Sequence, residues 1–293
     1  MQARAALALA CILLGCLGCL GCGSGPTKAA EPTTGRAPDD VTPANGGSAS
    51  TALVLDDVRI TESSGLARSW SFPGVFYTHN DRGAGPTLFA VDPTGTRAVL
   101  TVTGAKALDW EDIASTPDGR LWIADSGDRE RTRPSISVSV VSEPAELVSG
   151  PVTPTTYQLE YPDGPHDSEA LLVDPRSSRV YVVTKDLEHA AIYAAPPVLS
   201  SSRTNKLAWV AEAPPNITGG DYAADGTKFA LRSYKRAFVY TDLDAEPIAF
   251  PLPDQEQGES ITFDSAGGAL LVGSEGMPST VLRVPIPTKT EQE

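Results

Sequence analysis

Beyond residue 22 the chain has no cysteine: Cys11, Cys16, Cys19 and Cys22 are the only four in 293 residues. Disulfides and cysteine-based zinc sites are therefore excluded from the region that folds. Basic side chains are scarce, 23 Lys and Arg against 37 Asp and Glu, and a formal charge of -14 repels a phosphate backbone, so no nucleic-acid partner is expected. There are three histidines, His79, His166 and His189, and none has a partner at the helical spacing of a zinc protease. The apolar run Ala5 to Leu14 falls short of the roughly 20 residues needed to span a bilayer. No G-x-S-x-G elbow, phosphate-binding Walker loop or dinucleotide fingerprint follows it.

What the first 22 residues do contain is Arg4 followed by that apolar run, the pattern of a signal peptide. Leu13-Leu14-Gly15-Cys16 resembles a bacterial lipobox, in which the cysteine is lipidated, and Gly21-Cys22 is the alternative. Residues 23–50 are rich in Gly, Pro, Ser, Thr and Ala without hydrophobic periodicity, as in a flexible tether. Residues 51–287 carry the folded pattern, and 288–293 form a polar tail. The expectation is an exported protein on the bacterial cell envelope, held to the membrane by a lipid, or secreted if the cysteine is unmodified.

With 26 Gly and 25 Pro the chain suits short elements joined by turns rather than long helices. A degenerate repeat runs through it, in which an acidic residue opens an apolar strand, a turn follows and a second strand ends on polar residues. The copies are Glu62 to Asp81, Glu111 to Asp128, Glu169 to Asp186, Asp221 to Arg236 and Glu259 to Gly276. Pro117-Asp118-Gly119, Asp225-Gly226 and Ala266-Gly267-Gly268 supply hairpin turns. Third strands are expected at Thr87 to Val91, Ser135 to Val141, Ala191 to Ala194, Ala237 to Thr241 and Ser279 to Pro285. Fourth strands follow in all copies but the last, for which Thr51 to Ile60 stands ready. This is the pattern of an all-β propeller with five four-stranded blades, closed by the N-terminal strand. Six blades would require splitting the stretch between Glu111 and Glu169, where Arg129 to Pro134 and Glu143 to Pro154 read as loops.

Ser64-Gly65-Leu66-Ala67 with Thr78-His79-Asn80-Asp81, Asp109-Trp110-Glu111-Asp112-Ile113 and Gly258-Glu259-Ser260-Ile261 resemble uncharacterised bacterial exported propeller proteins. More distantly they are similar to the gluconolactonase-type and phytase-like propellers. The lactonase resemblance implies a central calcium ion held by a Glu, asparagines and an Asp, roles that Glu62, Asn80 and Asp81 would echo.

Antiparallel pairing brings the start of each first strand and the end of each second strand to one face. Glu62, Glu111, Glu169, Asp221 and Glu259 are expected there, with Asp81, Asp125, Asp128, Lys185, Asp186, Arg232 and Glu275 arriving from the second strands. Such carboxylates raise one another's pKa unless compensated. Three compensations are open: ion pairs with Lys185 and Arg232, a hard cation such as calcium, or acid-base work on a glycoside or ester. The metal candidates are thus Glu62, Asn80, Asp81, Glu111, Glu169, Asp221 and Glu259. The catalytic candidates are Glu111, Glu169 and Glu259, with His166 added for its closeness in sequence to Glu169. Trp70, Trp110, Trp122 and Trp209 are expected to pack between sheets. The functional expectation is a binding or interaction module for a small ligand or an envelope protein; the alternative is a calcium-assisted hydrolase of a lactone, ester or glycoside.

Overall fold

The computed structural model describes residues 48–288. The stretch expected to be a signal peptide, Cys16, Cys22, nearly all of the expected tether and most of the C-terminal tail lie outside the described residues. Among the described residues the period-two apolar pattern and the Gly and Asp turns produce strands alone. The first, β1 (Ser50–Leu55), precedes the repeats. Blade one contains β2 (Ser63–Arg68), β3 (Phe76–Asn80), β4 (Thr87–Asp92) and β5 (Gly95–Val102). Blade two begins with β6 (Trp110–Thr116), β7 (Arg120–Asp125) and β8 (Ile136–Ser142); after the short β9 (Gly150–Val152) it ends with β10 (Thr155–Glu160). Blade three contains β11 (Ser168–Val173), β12 (Val180–Thr184) and β13 (Ala191–Ala194), then, after β14 (Asn205–Lys206), β15 (Ala208–Glu212). Blade four is β16 (Ile217–Tyr222), β17 (Phe229–Ser233), β18 (Arg236–Tyr240) and β19 (Ile248–Pro251). Blade five is β20 (Gly258–Phe263), β21 (Ala269–Ser274) and β22 (Ser279–Pro285).

Strand β1 pairs antiparallel with β22 and completes blade five. The chain is therefore a five-bladed β-propeller, closed by joining its N-terminal strand to its last one. The closing strand ends at Leu55, not Ile60, because Ile60 N–H turns back to the Asp57 carbonyl. Two blades carry a fifth strand. In the stretch read as a loop, β9 adds parallel to β5 of blade one, and β14 adds parallel to β10 of blade two. Both cover a sheet edge that would otherwise stay unpaired.

Burial on both faces of each sheet holds the ring together. Successive residues of a strand point to opposite faces, so Leu171 packs with Trp122 and Val138 of blade two while Leu172 packs with Phe229 and Leu231 of blade four. Five apolar clusters, one at each junction between blades, repeat this arrangement, and the last joins Leu53, Leu271 and Val281 of blade five to Leu66 and Phe89 of blade one. Trp110 and Trp122 are buried in the clusters between blades one and two and between blades two and three as expected, whereas Trp209 is 55% exposed because β15 is an outer edge strand with one face in solvent.

The innermost strands β2, β6, β11, β16 and β20 surround the axis, each adjacent to the next and β20 to β2. Polar ties cross between them. Ser64 Oγ donates to the Glu111 carbonyl, Ser126 Oγ to the Ser168 carbonyl and Thr218 Oγ1 to the Gly258 carbonyl. Asp112 does the most. Fully buried, it accepts the Leu171 N–H of blade three at 2.8 Å and the Gly220 N–H of blade four at 3.1 Å on Oδ2, and its neighbour's Ile113 N–H at 2.8 Å on Oδ1.

Candidate functional site

Each inner strand starts with an irregularity of register at the same place: between Ser63 and Leu66, Trp110 and Asp112, Ser168 and Ala170, Ile217 and Gly219, and Gly258 and Ile261. A bulge re-aims the side chain it carries. The residues there are Ser64, Glu111, Glu169, Thr218 and Glu259. Two positions earlier stand Glu62, Asp109, Asp167, Asn216 and Gln257. The three bulge glutamates and all five earlier residues line one axial cavity of about 850 Å³. Residues just beyond the second strands complete it, among them Asp81, Lys185 and Tyr234, with Arg82, Arg129, Arg131, Asp186 and Leu187 at the loops.

Three carboxylates in the cavity have cationic partners. Arg82 pairs with Asp109 at 3.0 Å, Arg131 with Asp186 at 2.6 Å and Lys185 Nζ with Glu169 Oε1 at 2.6 Å. Asp81 accepts the Arg82 N–H, and Asp167 the Asp128 N–H at 2.8 Å. The carboxylate of Glu111, a residue 6% exposed, has no hydrogen-bond or ion-pair partner among the described residues, although its backbone carbonyl accepts from Ser64. Gly127 makes room for it: a Cβ there would stand 2.0 Å from Glu111 Oε1 and 2.6 Å from Asp109 Cγ.

These surroundings set the protonation. Burial, then the charges of Glu169, Asp81, Asp109 and Glu259, push Glu111 well above the usual carboxylate range. Burial raises Glu169 to about 8 although Lys185 opposes it. Asp81 rises to about 6 through burial, against the pull of the Arg82 N–H, with Asp109, Glu259 and Glu62 adding to the rise. Glu275, outside the cavity but beside Glu259, is raised to about 8 by burial and by that neighbour. Burial works against the charge of Lys185, yet Glu169 outweighs it and raises its pKa.

Oxygens of Asp81, Asp109 and Glu111 lie within 4.8 Å of one another, and so do those of Glu111, Asp167 and Glu169. A hard cation with several oxygen ligands suits such a set better than a soft one.

Of the expected site residues, Glu62, Asp81, Glu111, Glu169 and Glu259 meet at the cavity, as do Lys185 and Asp186. The others are elsewhere. Asn80 accepts the Thr61 and Glu62 N–H groups on Oδ1 and donates to the Arg59 carbonyl, so its amide is spent on the backbone and the implied Glu-Asn-Asp set does not form. Asp221 sits three residues deeper than the bulge position, where it accepts Thr262 Oγ1–H at 2.7 Å and Phe263 N–H at 2.9 Å, with its pKa raised to about 6 by burial. Thr218 takes the place expected for it.

His166 stacks among Tyr161 and Tyr193 and bonds Asp163, away from the cavity lining. Arg232 is fully buried and donates to the Ser260 and Gly273 carbonyls instead of compensating the cavity; burial lowers its pKa to about 9. Asp125 pairs with Arg133, and Asp128 accepts the Arg133 N–H.

Asp109 and Asp167 were not singled out as ligands by the sequence, yet a signal was present. Asp109-Trp110-Glu111 and Asp167-Ser168-Glu169 repeat an Asp-x-Glu spacing at the same point of two copies, and Gln257-Gly258-Glu259 is its amide counterpart.

The fold and cavity define an acidic-centred β-propeller. No protein-family model matches the chain, and a search of curated proteins finds no match. Among solved structures, a gluconolactonase from Xanthomonas campestris is similar in chain path, with 16% identity and a TM-score of 0.47 over 84% of this chain and 99% of that one. Hydrazine synthase of Kuenenia stuttgartiensis is similar at 12% identity and a TM-score of 0.42, over 75% of this chain and 57% of that one. Neither likeness bears on what the cavity holds.

Proposed function

We propose that the chain is an exported, lipid-anchored binding module of the bacterial cell envelope, and that it takes its ligand at the axial cavity through a hard cation such as calcium. The observation that carries the cation is Glu111: a deeply buried carboxylate, without a partner among the described residues, shared by two oxygen clusters. Ion pairs with Lys185, Arg82 and Arg131 compensate only part of the lining. A cation that binds the folded chain alone stabilises it by mass action. Added calcium at millimolar concentration is therefore expected to raise the melting temperature of chelator-stripped protein by several degrees, and Glu111→Gln to remove most of that rise. An unchanged melting curve in calcium would refute the cation.

Export and anchoring rest on the apolar run after Arg4 and on Leu13-Leu14-Gly15-Cys16. Cys16→Ser is expected to move the protein from the membrane fraction to the soluble one. Retention after that change would transfer the anchor to Cys22.

A second reading is supported by the protonation of the same residues. A general acid needs a pKa near the working pH, and Glu169, raised to about 8, and Glu111, raised by the same burial, have oxygens within 4.8 Å of each other. A calcium-assisted hydrolase would use these two with Glu259. Turnover of a lactone, ester or glycoside panel that disappears in Glu111→Gln would decide for it over the binding module.

A further inference from the structure

We infer that the cavity holds two divalent cations side by side, with Glu111 as the carboxylate that bridges them. The inference rests on the cation-binding reading and specifies its stoichiometry and its central ligand. Its first ground is the pair of oxygen clusters, which have only Glu111 in common. Their make-up is the same on both sides. One set has Asp109 held by Arg82 and Asp81 held by a backbone N–H; the other has Glu169 held by Lys185 and Asp167 held by a backbone N–H. Glu111 stands between them because β6 of blade two lies between blades one and three.

The second ground is independent of the clustering. Glu259 belongs to neither set, is 4% exposed, lines the cavity, and has a buried Oε2 that no basic or amide group among the described residues meets, its close neighbour being another carboxyl, that of Glu275. Leaving a buried carboxylate oxygen unmet is costly, and cations in the cavity supply the missing counter-charge. Gly127 is the third ground, since any side chain there would displace the Glu111 and Asp109 carboxylates that it lets approach each other.

Charge sets the number of ions. The cavity lining has eight carboxylates against four cationic side chains, an excess of four negative charges. Two divalent cations cancel it; one leaves half of it. Size selects the ion. Ligand bonds of ~2.3–2.6 Å put opposite oxygens of a calcium shell about 5 Å apart, whereas those around magnesium span only about 4 Å. Carboxylate oxygens gathered from several strands and loops, all within 4.8 Å in each set, suit the larger ion, which accepts more ligands in a less rigid geometry.

The test is calorimetric titration of calcium chloride into the chelator-stripped full chain in detergent, with the fold of every variant checked by circular dichroism. Two ions per chain are expected. Asp81→Asn and Asp167→Asn should each leave one, and Glu111→Gln should weaken both by at least about tenfold, the penalty of losing a charged ligand. One ion per chain in the unaltered protein, or Glu111→Gln that still binds one ion at full strength, overturns the bridge while leaving the cation-binding reading intact. No binding at all overturns both. If Glu111→Gln does not fold, the two aspartate variants decide: a variant that still binds two ions, or that binds none, contradicts the assignment.

Discussion

Asp112→Ala is expected to lower the melting temperature by ~10–15 °C. The substitution leaves the N–H groups of Ile113, Leu171 and Gly220 facing a dry space at the axis, two of them on other blades. Each unmet buried donor costs about 1–3 kcal/mol, so three amount to roughly 3–9 kcal/mol. In a domain of this size 1 kcal/mol shifts melting by about 2–4 °C. Asp112→Asn keeps one accepting oxygen and should lose less than half as much. Burial pushes the Asp112 carboxyl upward while its three N–H donors favour the ionised form, and acceptance of those bonds is its role in either state. Thermal unfolding followed by circular dichroism measures the effect; an alanine variant melting within about 2 °C of the unaltered protein would show that the axis is held without this tie.

The second large effect is a loss of stability with rising pH in the calcium-free protein. Folded Glu169 and Glu275 hold their protons to about pH 8, and Glu111 is raised well beyond its ordinary value, while the unfolded chain releases these protons near the ordinary glutamate value of 4.5. The folded state then binds more protons than the unfolded one, so their contribution is complete below about pH 4.5 and falls as pH rises towards 8. Asp81 adds to the fall up to about pH 6. His79, kept neutral by burial with a pKa of about 4, acts in the opposite sense, but only between about pH 4 and 6.5.

Above pH 6.5 the carboxyl groups act without that opposition. For the deeply buried Glu111 and Glu169, with Asp81, Asp109, Glu259, Arg82 and Lys185 around them, the decline from pH 6.5 to 8 is on the order of 2 kcal/mol. Melting should therefore drop by ~4–8 °C over that interval. Glu111→Gln should flatten the drop, and calcium should raise melting more at pH 8 than at pH 6.5, because it replaces protons. A melting temperature that is level or rises across this interval would contradict the account.

The blades were legible because their signals are local. Asp225-Gly226 and Ala266-Gly267-Gly268 place residues of positive φ, 65° at Gly226 and 68° at Gly267, where the hairpins turn, and the alternating strands on either side need no distant information. The fourth blade shows where such reading fails. Its inner strand starts at Ile217-Thr218-Gly219-Gly220, and paired glycines conceal a strand because they are rare in one. A Cβ at Gly219 would lie 2.4 Å from the Glu259 carbonyl, so the glycine is required by an approach between blades that no local pattern records. Asp221, the first acidic residue met there, was consequently placed at the rim when it lies inside.

The same limit applies to Asn80 and Arg232. Their residue types suggest a ligand and a counter-ion, and only the folded neighbours reveal that backbone groups have engaged them. The cavity acids were legible in part. Glu111, Glu169 and Glu259 open their strands at equivalent points of the repeat, which brings them to one cavity, whereas Asp109 and Asp167 precede the strands and become ligand candidates only when the bulge positions are aligned across blades.

The central claim is that the axial carboxylates are compensated by metal cations and not by protons and ion pairs alone. A crystal structure of residues 51–293 grown with calcium, with anomalous data collected, tests this most directly. The account predicts anomalous peaks in the cavity within bonding distance of Glu111, with Asp81 and Asp109 on one side and Asp167 and Glu169 on the other. A cavity without anomalous density, in which Glu111 is met only by water or by a rotated Lys185 or Arg82, would contradict it.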